Sequence, residues 1–259
     1  MPSHDERDYF EFVSRLGMTK HYGSMDATRK LIEMCHIGSE HMVLDVGCGV
    51  GATPCYLAKA AGCRVTGVDL LDSMVEQSRQ RARAEGVEEH VEFKVADARD
   101  LPFADNAFDA VIMESLNVFF EDKAQAMGEY VRVCRPGGYV GMTEMTWLQP
   151  PAAQLEATFR NTAHATALDA VGWKALMQEA GLWNVVGSGH RIDLSAESRG
   201  RFERYGRLSM LRIMLRMLGM VISDPKSRQL MQGGVGAVSR DLLDVVGYGV
   251  FAGQKRSRD

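Results

Sequence analysis

The sequence predicts an α/β domain whose central sheet is mostly parallel. Three observations lead to this prediction. Short apolar runs alternate along the chain with segments that have the roughly 3.6-residue periodicity of helices. The first run, 43–46, is followed by glycines at alternate positions and then by a helical segment, which gives the order strand, glycine turn and helix. At 259 residues, the chain can bury the core of one large domain with an insertion.

Composition and charge argue against several classes of protein. The chain has 30 basic and 34 acidic residues and a net charge of −4, so we expect no general attraction to nucleic acid. The five cysteines are odd in number and lack C-x-x-C spacing, which indicates free thiols in a reducing compartment. The N-terminus is too charged for a signal peptide, and no apolar run is long enough to cross a membrane. We therefore expect a cytoplasmic protein without a transmembrane segment.

The glycine turn after the first strand indicates the charge of a ligand. Gly47 and Gly49 leave backbone open to close approach and allow conformations that other residues avoid. A dinucleotide fingerprint has the spacing G-x-G-x-x-G, whereas this turn has G-x-G-x-G. Asp45 precedes the first glycine by two residues, where a carboxylate suits an ammonium or sulfonium cation better than a pyrophosphate. The turn therefore favours a cationic nucleoside over a nicotinamide dinucleotide.

The run 43–51, Val-Leu-Asp-Val-Gly-Cys-Gly-Val-Gly, resembles motif I of the class I S-adenosylmethionine-dependent methyltransferases. The resemblance extends over about residues 18–146. This region is similar to the branch of the superfamily that includes the ubiquinone- and menaquinone-pathway C-methyltransferases. It implies a Rossmann-like sheet of seven mostly parallel strands with an antiparallel last strand, N-terminal helices and a helical lid insertion. It also implies S-adenosyl-L-methionine as cofactor and a small, lipophilic metabolite as methyl acceptor.

The second and third strands each lead to an acid. The second ends at Asp69, whose carboxylate can accept two hydrogen bonds from the ribose diol of either NAD or S-adenosylmethionine. The resemblance places Leu70 beside the adenosine. The third strand leads to Asp97 and Ala98, and in the family these positions contact the adenine amino group and ring.

Two further segments lie near the cofactor according to the resemblance. The fourth strand, 110–113, leads to 114–117 at the carboxyl edge of the sheet, where open α/β folds bind ligands. The His-Tyr-Gly turn at 21–23 resembles a segment that folds over the methionine end of the cofactor, although an ordinary helix-capping turn is the alternative. The predicted cofactor-binding residues are Gly23, Asp45, Gly47, Cys48, Gly49, Asp69, Leu70, Asp97, Ala98, Glu114 and Ser115.

The rest of the chain completes and covers the sheet. A helix at 121–134 is expected to stop at Pro136, and two glycines then turn the chain into a strand at 139–146. The predicted division is an N-terminal helical cap (1–36), a cofactor-binding core (37–148), a lid helix with completion of the sheet (149–192), a helical insertion (193–245) and a last strand with a tail (246–259).

The insertion contains a basic, Met-rich segment at 205–222. In one helix, Arg201, Arg204, Arg212 and Arg216 gather on one side while methionine and leucine cover much of the rest. Core packing is the commonest use of such a face. The alternatives are a lid over a lipophilic substrate, peripheral contact with an anionic membrane, or docking of a partner. A homodimer is a further possibility for such a chain.

Methyl transfer from a sulfonium is an in-line displacement, so the protein must mainly align the acceptor and exclude water. A base is needed only when the acceptor must lose a proton, and the candidate catalytic residues are Glu114, Glu144 and Tyr22. No paired-carboxylate metal motif is present, so we expect a metal-independent enzyme. The alternative function is a non-catalytic module that binds S-adenosylmethionine and docks a partner or membrane through 205–222.

Overall fold

The structure, a computed structural model, describes residues 11–12, 14–17, 21–163, 165–224 and 244–257. Residues 1–10 of the predicted N-terminal helical cap (1–36) lie outside these residues, whereas 11–12 and 14–16 are helical. The strands are β1 (Met42–Val46), β2 (Arg64–Asp69), β3 (Val91–Val95), β4 (Phe108–Glu114), β5 (Cys134–Trp147), β6 (Leu168–Asp169), β7 (Leu182–Arg191) and β8 (Val246–Lys255). The helices are α1 (Ser24–Met34), α2 (Ala52–Ala61), α3 (Asp72–Glu85), α4 (Lys123–Val133), α5 (Ala153–Ala163), α6 (Ala170–Glu179), α7 (Leu194–Tyr205) and α8 (Arg207–Ser223), with a short 3₁₀ turn at Asn117–Phe119.

One mixed sheet forms the centre of the described chain. Its order is β3-β2-β1-β4-β5-β8-β7, and the two-residue β6 pairs with β5. Strands β1 to β5 pair in parallel, whereas β8 runs antiparallel to both β5 and β7. This arrangement confirms the predicted α/β fold with a mostly parallel sheet and an antiparallel last strand, and adds the short β6. The strand order reverses between β1 and β4, which creates a crevice at their carboxyl ends.

Helices cover both faces of the sheet because each presents one apolar side to it. On one face, Tyr130 of α4 and Trp173 of α6 are fully buried in the larger core. On the other, Leu31 of α1 and Leu57 of α2 pack with Ile112 of β4. Burying side chains of this size stabilises a fold by about 1.5–3 kcal/mol each. These contacts fix the strands whose ends carry the candidate site.

The junction between α4 and β5 differs from its predicted form. The sequence suggested a turn at 135–138 before a strand at 139, whereas β5 starts at Cys134 directly after α4. Gly138 accounts for the difference, because a Cβ there would lie 2.5 Å from the carbonyl oxygen of Asp109. Only glycine lets the two backbones approach so closely. Cys134 pairs with Phe108 and Tyr139 pairs with Ala110, so residues 135–138 bulge out of the strand pairing opposite Asp109.

The Met-rich insertion folds as two helices rather than one. Gly206, at φ 74° and ψ 157°, separates α7 from α8 in a conformation that favours glycine. The predicted grouping of four arginines on one side of one helix is therefore wrong. Arg201 and Arg204 lie on α7, with Arg204 facing the interior, whereas Arg212 and Arg216 lie exposed on α8. In the part of the chain that the structure describes, every helix is too short or too polar to cross a membrane.

Candidate active site

The carboxyl ends of the parallel strands bring the predicted acids to one edge of the sheet. The strand order β3-β2-β1-β4 places Asp97, Asp69, Asp45 and Glu114 in a row, each at or just beyond the end of its strand. Asp45 and Glu114 stand on the two strands between which the order reverses. This is the position where open α/β sheets bind ligands. The structure therefore brings these four predicted residues to the same edge of the sheet.

The glycine turn after β1 presents little more than backbone at this edge. Gly47 has φ 74°, and a Cβ there would lie 3.0 Å from the side chain of Leu116. Gly49 has φ 55° and donates its N–H to Asp69 Oδ2 at 2.9 Å. Cys48, between them, is buried, and burial raises the pKa of its thiol well above the ordinary range. The turn therefore lets a ligand approach the backbone closely, and its thiol is neutral.

Asp69 is oriented at the end of β2 by two backbone donors. Its Oδ2 accepts from Gly49 N at 2.9 Å and its Oδ1 from Leu71 N at 3.1 Å. Burial raises the pKa of this carboxyl, and the two hydrogen bonds oppose that shift. Each oxygen keeps a further lone pair, so the carboxylate can still accept from a diol. Leu70 beside it is exposed, as contact with a nucleoside requires.

Asp97 lies beyond β3, and its carboxylate already has a partner. Arg99 donates its backbone N–H and Nε to Oδ1 at 3.0 and 2.9 Å, and Nη2 to Oδ2 at 2.7 Å. These hydrogen bonds from Arg99 hold the pKa of Asp97 below its ordinary value. Ala98 is buried next to it. The expected contact of both residues with adenine stays a prediction.

Asp45 is a buried carboxylate that makes no hydrogen bond to any residue that the structure describes. Its residue exposure is only 2%. Burial raises the pKa of its carboxyl well above the ordinary value, and the negative charge of Glu114 adds to the effect, although Arg204 opposes it. A bound cation would favour the ionised form. This position therefore fits the ammonium or sulfonium that the sequence suggested.

Glu114 is the centre of a buried polar cluster. Its Oε1 accepts from Thr53 Oγ1 at 2.6 Å, and its Oε2 accepts from Thr28 Oγ1 at 2.8 Å. His21 Nε2 and Arg204 Nη2 lie 3.2 and 3.7 Å from Oε2. Burial opposes ionisation of Glu114, but Arg204 and the threonine hydrogen bonds keep the pKa of its carboxyl below the ordinary value. Burial and, next, the positive charge of Arg204 lower the pKa of His21 to about 4, so the imidazole is neutral at pH 7.

Glu144 supports the loop that follows β4. Its Oε1 accepts from the backbone N–H groups of Leu116 and Asn117 at 3.0 and 2.6 Å, and from Asn117 Nδ2 at 2.9 Å. Burial raises the pKa of Glu144 to about 7. Ser115, in the same loop, has the unusual φ of 56°. The carboxylate therefore holds this loop in the conformation that places Leu116 against the glycine turn.

The His-Tyr-Gly turn is fixed by the insertion. Gly23 has φ 94° and donates its N–H to Glu197 Oε1 at 2.6 Å. A Cβ at Gly23 would lie 2.4 Å from Ala27 Cβ. Tyr22 is half-buried in this turn. Because His21 Nε2 lies 3.2 Å from Glu114 Oε2, the turn lies at the β4 end of the site.

Sequence reasoning missed several residues that form this cluster. Thr28 and Thr53 bind Glu114 from α1 and α2, and Arg204 reaches it from α7. Glu197 and Arg204 stand seven residues apart on one side of α7, a spacing that could have indicated a common partner. What could not be predicted is that the partner is α1, because α7 lies more than 160 residues further along the chain.

Beyond the end of β5 the site becomes apolar. Trp147 is buried, and its ring makes an edge contact with Phe159 of α5, with ring centroids 5.6 Å apart. Leu116 and Phe119, which follow β4, pack against the same core. Because β5 is the neighbour of β4 and Thr143 pairs with Glu114, Trp147 lies four residues along β5 from that pair.

Comparisons with known proteins agree with the fold. Residues 44–142 match the family described as "Methyltransferase domain". The methyltransferase GfsG of Streptomyces halstedii is 35% identical over 159 residues, which cover 60% of this chain and 57% of that protein. The chain therefore spans little more than half of GfsG. An uncharacterized Haemophilus influenzae protein is 34% identical over 185 residues, covering 67% of this chain and 71% of its own length.

Two further matches are a relative with a named activity and a solved structure with a similar fold. The 27-O-demethylrifamycin SV methyltransferase of Amycolatopsis mediterranei is 35% identical over 131 residues, covering 50% of this chain and 47% of that protein. A crystal structure of a SAM-dependent methyltransferase from Thiobacillus denitrificans with S-adenosylhomocysteine has a TM-score of 0.71 at 22% identity. That similarity covers 99% of this chain and all of the other, and at this identity it shows the fold alone.

Proposed function

Because the chain belongs to the class I S-adenosylmethionine-dependent methyltransferases, we propose that it transfers a methyl group to a small, lipophilic metabolite. The bound cofactor supplies a methyl group already activated on its sulfonium for in-line displacement. The protein's own residues must therefore bind the two reactants, align them and exclude water. The observation that carries the proposal is the apolar region around Trp147, four residues along β5 from Thr143, which pairs with Glu114 on β4.

Cofactor binding would use the row of residues along the strand ends. The glycine turn and Asp69 suit the nucleoside, since Asp69 is oriented by Gly49 and Leu71 with lone pairs to spare. Asp45 and Glu114 supply negative charge for the cationic end. The remaining predicted contacts, including those of Ser115 and Gly23, extend this row toward α1.

The candidate catalytic residues differ in what they can contribute. Both oxygens of Glu114 already accept hydrogen bonds, and Oε1 of Glu144 holds the loop after β4. We therefore propose that both act as positioning residues. Tyr22 remains the candidate that contacts the acceptor, because it lies in the turn beside the cluster. In this proposal the reaction needs no base unless the acceptor must lose a proton.

The lipophilic acceptor class has two supports. Trp147, Phe159 and Leu116 offer apolar and aromatic surface, which is what buries an apolar ligand. The relative from Amycolatopsis mediterranei is a methyltransferase of a rifamycin. No feature of the described residues favours the non-catalytic alternative, in which the chain only binds S-adenosylmethionine.

We also propose peripheral contact with a membrane surface through α8, in a cytoplasmic enzyme. The inner side of α8 is buried through Ile213 and Met220, whereas Arg212 and Arg216 are exposed. All five cysteines are buried free thiols, which fits a reducing compartment. The outer face of α8 is apolar and exposed, and consists of Leu211, Met214, Leu215, Leu218 and Ile222. Such a face, flanked by arginines, suits contact with anionic lipid. The alternative is that the same face forms the contact between two copies of the chain in a homodimer.

Turnover with a panel of acceptors tests the function. The protein is incubated with S-adenosylmethionine and lipophilic alcohols, phenols and quinols, or with polar amines, and both S-adenosylhomocysteine and the methylated product are measured by mass spectrometry. We expect product with members of the lipophilic set. Turnover confined to polar amines would show that the acceptor class is wrong. Cofactor binding without turnover on any acceptor would support the non-catalytic alternative.

A further inference from the structure

We propose that Arg204, on the insertion helix α7, binds the carboxylate at the methionine end of the cofactor. The insertion then forms part of the cofactor site rather than only a cover for the acceptor. This inference rests on S-adenosylmethionine as cofactor and is independent of the acceptor class proposed above. Its basis is the position of Arg204, its burial and its unused hydrogen-bond donors.

The order of the strands shows which end of the ligand reaches Arg204. Asp69 at β2 suits the ribose, and the glycine turn follows at β1. An extended nucleoside that begins there and crosses the turn brings its amino-acid end to the ends of β1 and β4. Asp45 and Glu114 stand at that point. The positive charge of Arg204 favours the ionised form of both carboxyl groups. Arg204 therefore lies at the end of the site that receives the zwitterionic group.

The guanidinium of Arg204 has capacity for a further partner. Its side chain is only 9% exposed. Nη2 donates to Thr28 Oγ1 at 2.8 Å and lies 3.7 Å from Glu114 Oε2. Nε and Nη1 make no hydrogen bond to the residues that the structure describes. A guanidinium has five donors and binds a carboxylate through two of them, so this side chain is suited to the anionic group of an amino acid.

The two acids and Arg204 together match a zwitterion. Glu114 places negative charge where the ammonium is expected, Asp45 ionises when a cation lies beside it, and Arg204 adds a single positive charge next to Glu114. In a buried site such charges act more strongly than in water. A ligand that has the ammonium but lacks the carboxylate would leave the guanidinium without its partner. The site should therefore discriminate against decarboxylated ligands.

Helix α7 is fixed in a position that aims Arg204 at this point. Glu197 Oε1 accepts from Gly23 N at 2.6 Å, so one side chain of α7 holds the turn before α1. Gly200 approaches so closely that a Cβ there would lie 2.5 Å from Ser24 Cβ. Residues 197, 200 and 204 are spaced by three and four, so they lie on one side of α7, which packs along α1. Arg204 is therefore preorganised by packing.

Calorimetric binding tests the proposal without any acceptor. The ligands are S-adenosylhomocysteine, its decarboxylated analogue and methylthioadenosine, which lacks the amino-acid group. The proteins are the wild type, Arg204→Gln, Arg204→Lys and the control Arg201→Gln, which changes an exposed arginine on the same helix. We expect the wild type and the control to prefer S-adenosylhomocysteine over the decarboxylated analogue by about tenfold or more. Arg204→Gln should lose this preference, and Arg204→Lys should keep part of it.

The ratio of affinities separates recognition from a structural role. Unchanged binding of methylthioadenosine by Arg204→Gln would show that the nucleoside part of the site is intact. If Arg204→Gln weakens all three ligands equally and keeps the preference, the proposal is wrong and Arg204 only supports Glu114. Should Arg204→Gln fail to fold, a Lys variant without any change in preference would equally overturn it. If the wild type binds none of the ligands, the cofactor assignment itself fails.

Discussion

Glu144 Oε1 lies 2.6 Å from the backbone nitrogen of Asn117 and accepts its hydrogen bond at the end of β4. Burial raises the pKa of this carboxyl from 4.5 to about 7. The folded protein therefore holds the proton over a pH range in which the unfolded chain has lost it. This stabilising contribution is fully present below pH 4.5 and is lost as pH rises toward 7.

Glu144→Gln should flatten the dependence of stability on pH. The amide oxygen can still accept both backbone hydrogen bonds, but the side chain no longer titrates. Between pH 4.5 and 7 the wild type should lose roughly 3 kcal/mol more of its free energy of unfolding than the variant. Urea unfolding at several pH values measures this, with the exposed Glu88→Gln as control. Parallel pH profiles for the wild type and Glu144→Gln would contradict the assignment.

Gly47→Ala should lower cofactor affinity by more than its effect on folding explains. Gly47 has φ 74°, and the added methyl would press on Leu116. Gly86→Ala is a matched control, because Gly86 has φ 66° and nothing lies within 4 Å of its would-be Cβ. Both changes should cost about 1–2 kcal/mol of stability from backbone strain. Only Gly47→Ala should weaken S-adenosylhomocysteine binding, by tenfold or more. Equal affinity in the two variants would place the ligand elsewhere.

Binding of S-adenosylmethionine should release a proton from Asp45. Burial raises the pKa of Asp45 well above 3.8, and a cation beside it lowers that pKa again. Affinity should therefore increase with pH above 3.8 until Asp45 is ionised in the free protein. Calorimetry in buffers with different ionisation enthalpies measures the released protons. Asp45→Asn should abolish the release, and identical heats for the wild type in all buffers would refute this linkage.

The outer face of α8 should bind vesicles that contain phosphatidylglycerol. Leu215→Glu combined with Leu218→Glu places two charges on this exposed apolar face and should reduce cosedimentation at least tenfold. Val171→Glu is the control, because Val171 is an equally exposed apolar residue on a different helix, α6. Binding should be weaker to pure phosphatidylcholine. If the double variant binds vesicles as well as the wild type, the face does not contact the membrane. If the double variant loses self-association in sedimentation velocity, the face serves as a contact between copies of the chain.

The local sequence was sufficient to predict the parallel sheet and the strand ends at which the predicted acids stand. Alternating apolar runs predicted the strands, and Asp45, Gly47 and Asp69 were identified by their position after those strands. These predictions succeed because a strand end and the turn after it are neighbours in sequence. The same reasoning failed where the backbone made a close approach, as at Gly138, or changed direction at Gly206.

By itself, the sequence determined the fold class, the cofactor and the row of acids, because each depends on residues adjacent along the chain. Only the tertiary structure decided what those acids contact. Glu114 receives partners from three helices, and Arg204 arrives from a segment about 90 residues further on. Glu144, on β5, supports the loop after β4 rather than facing solvent. Burial and charge pairing depend on the packing of distant segments, and no local pattern in this sequence specified that packing.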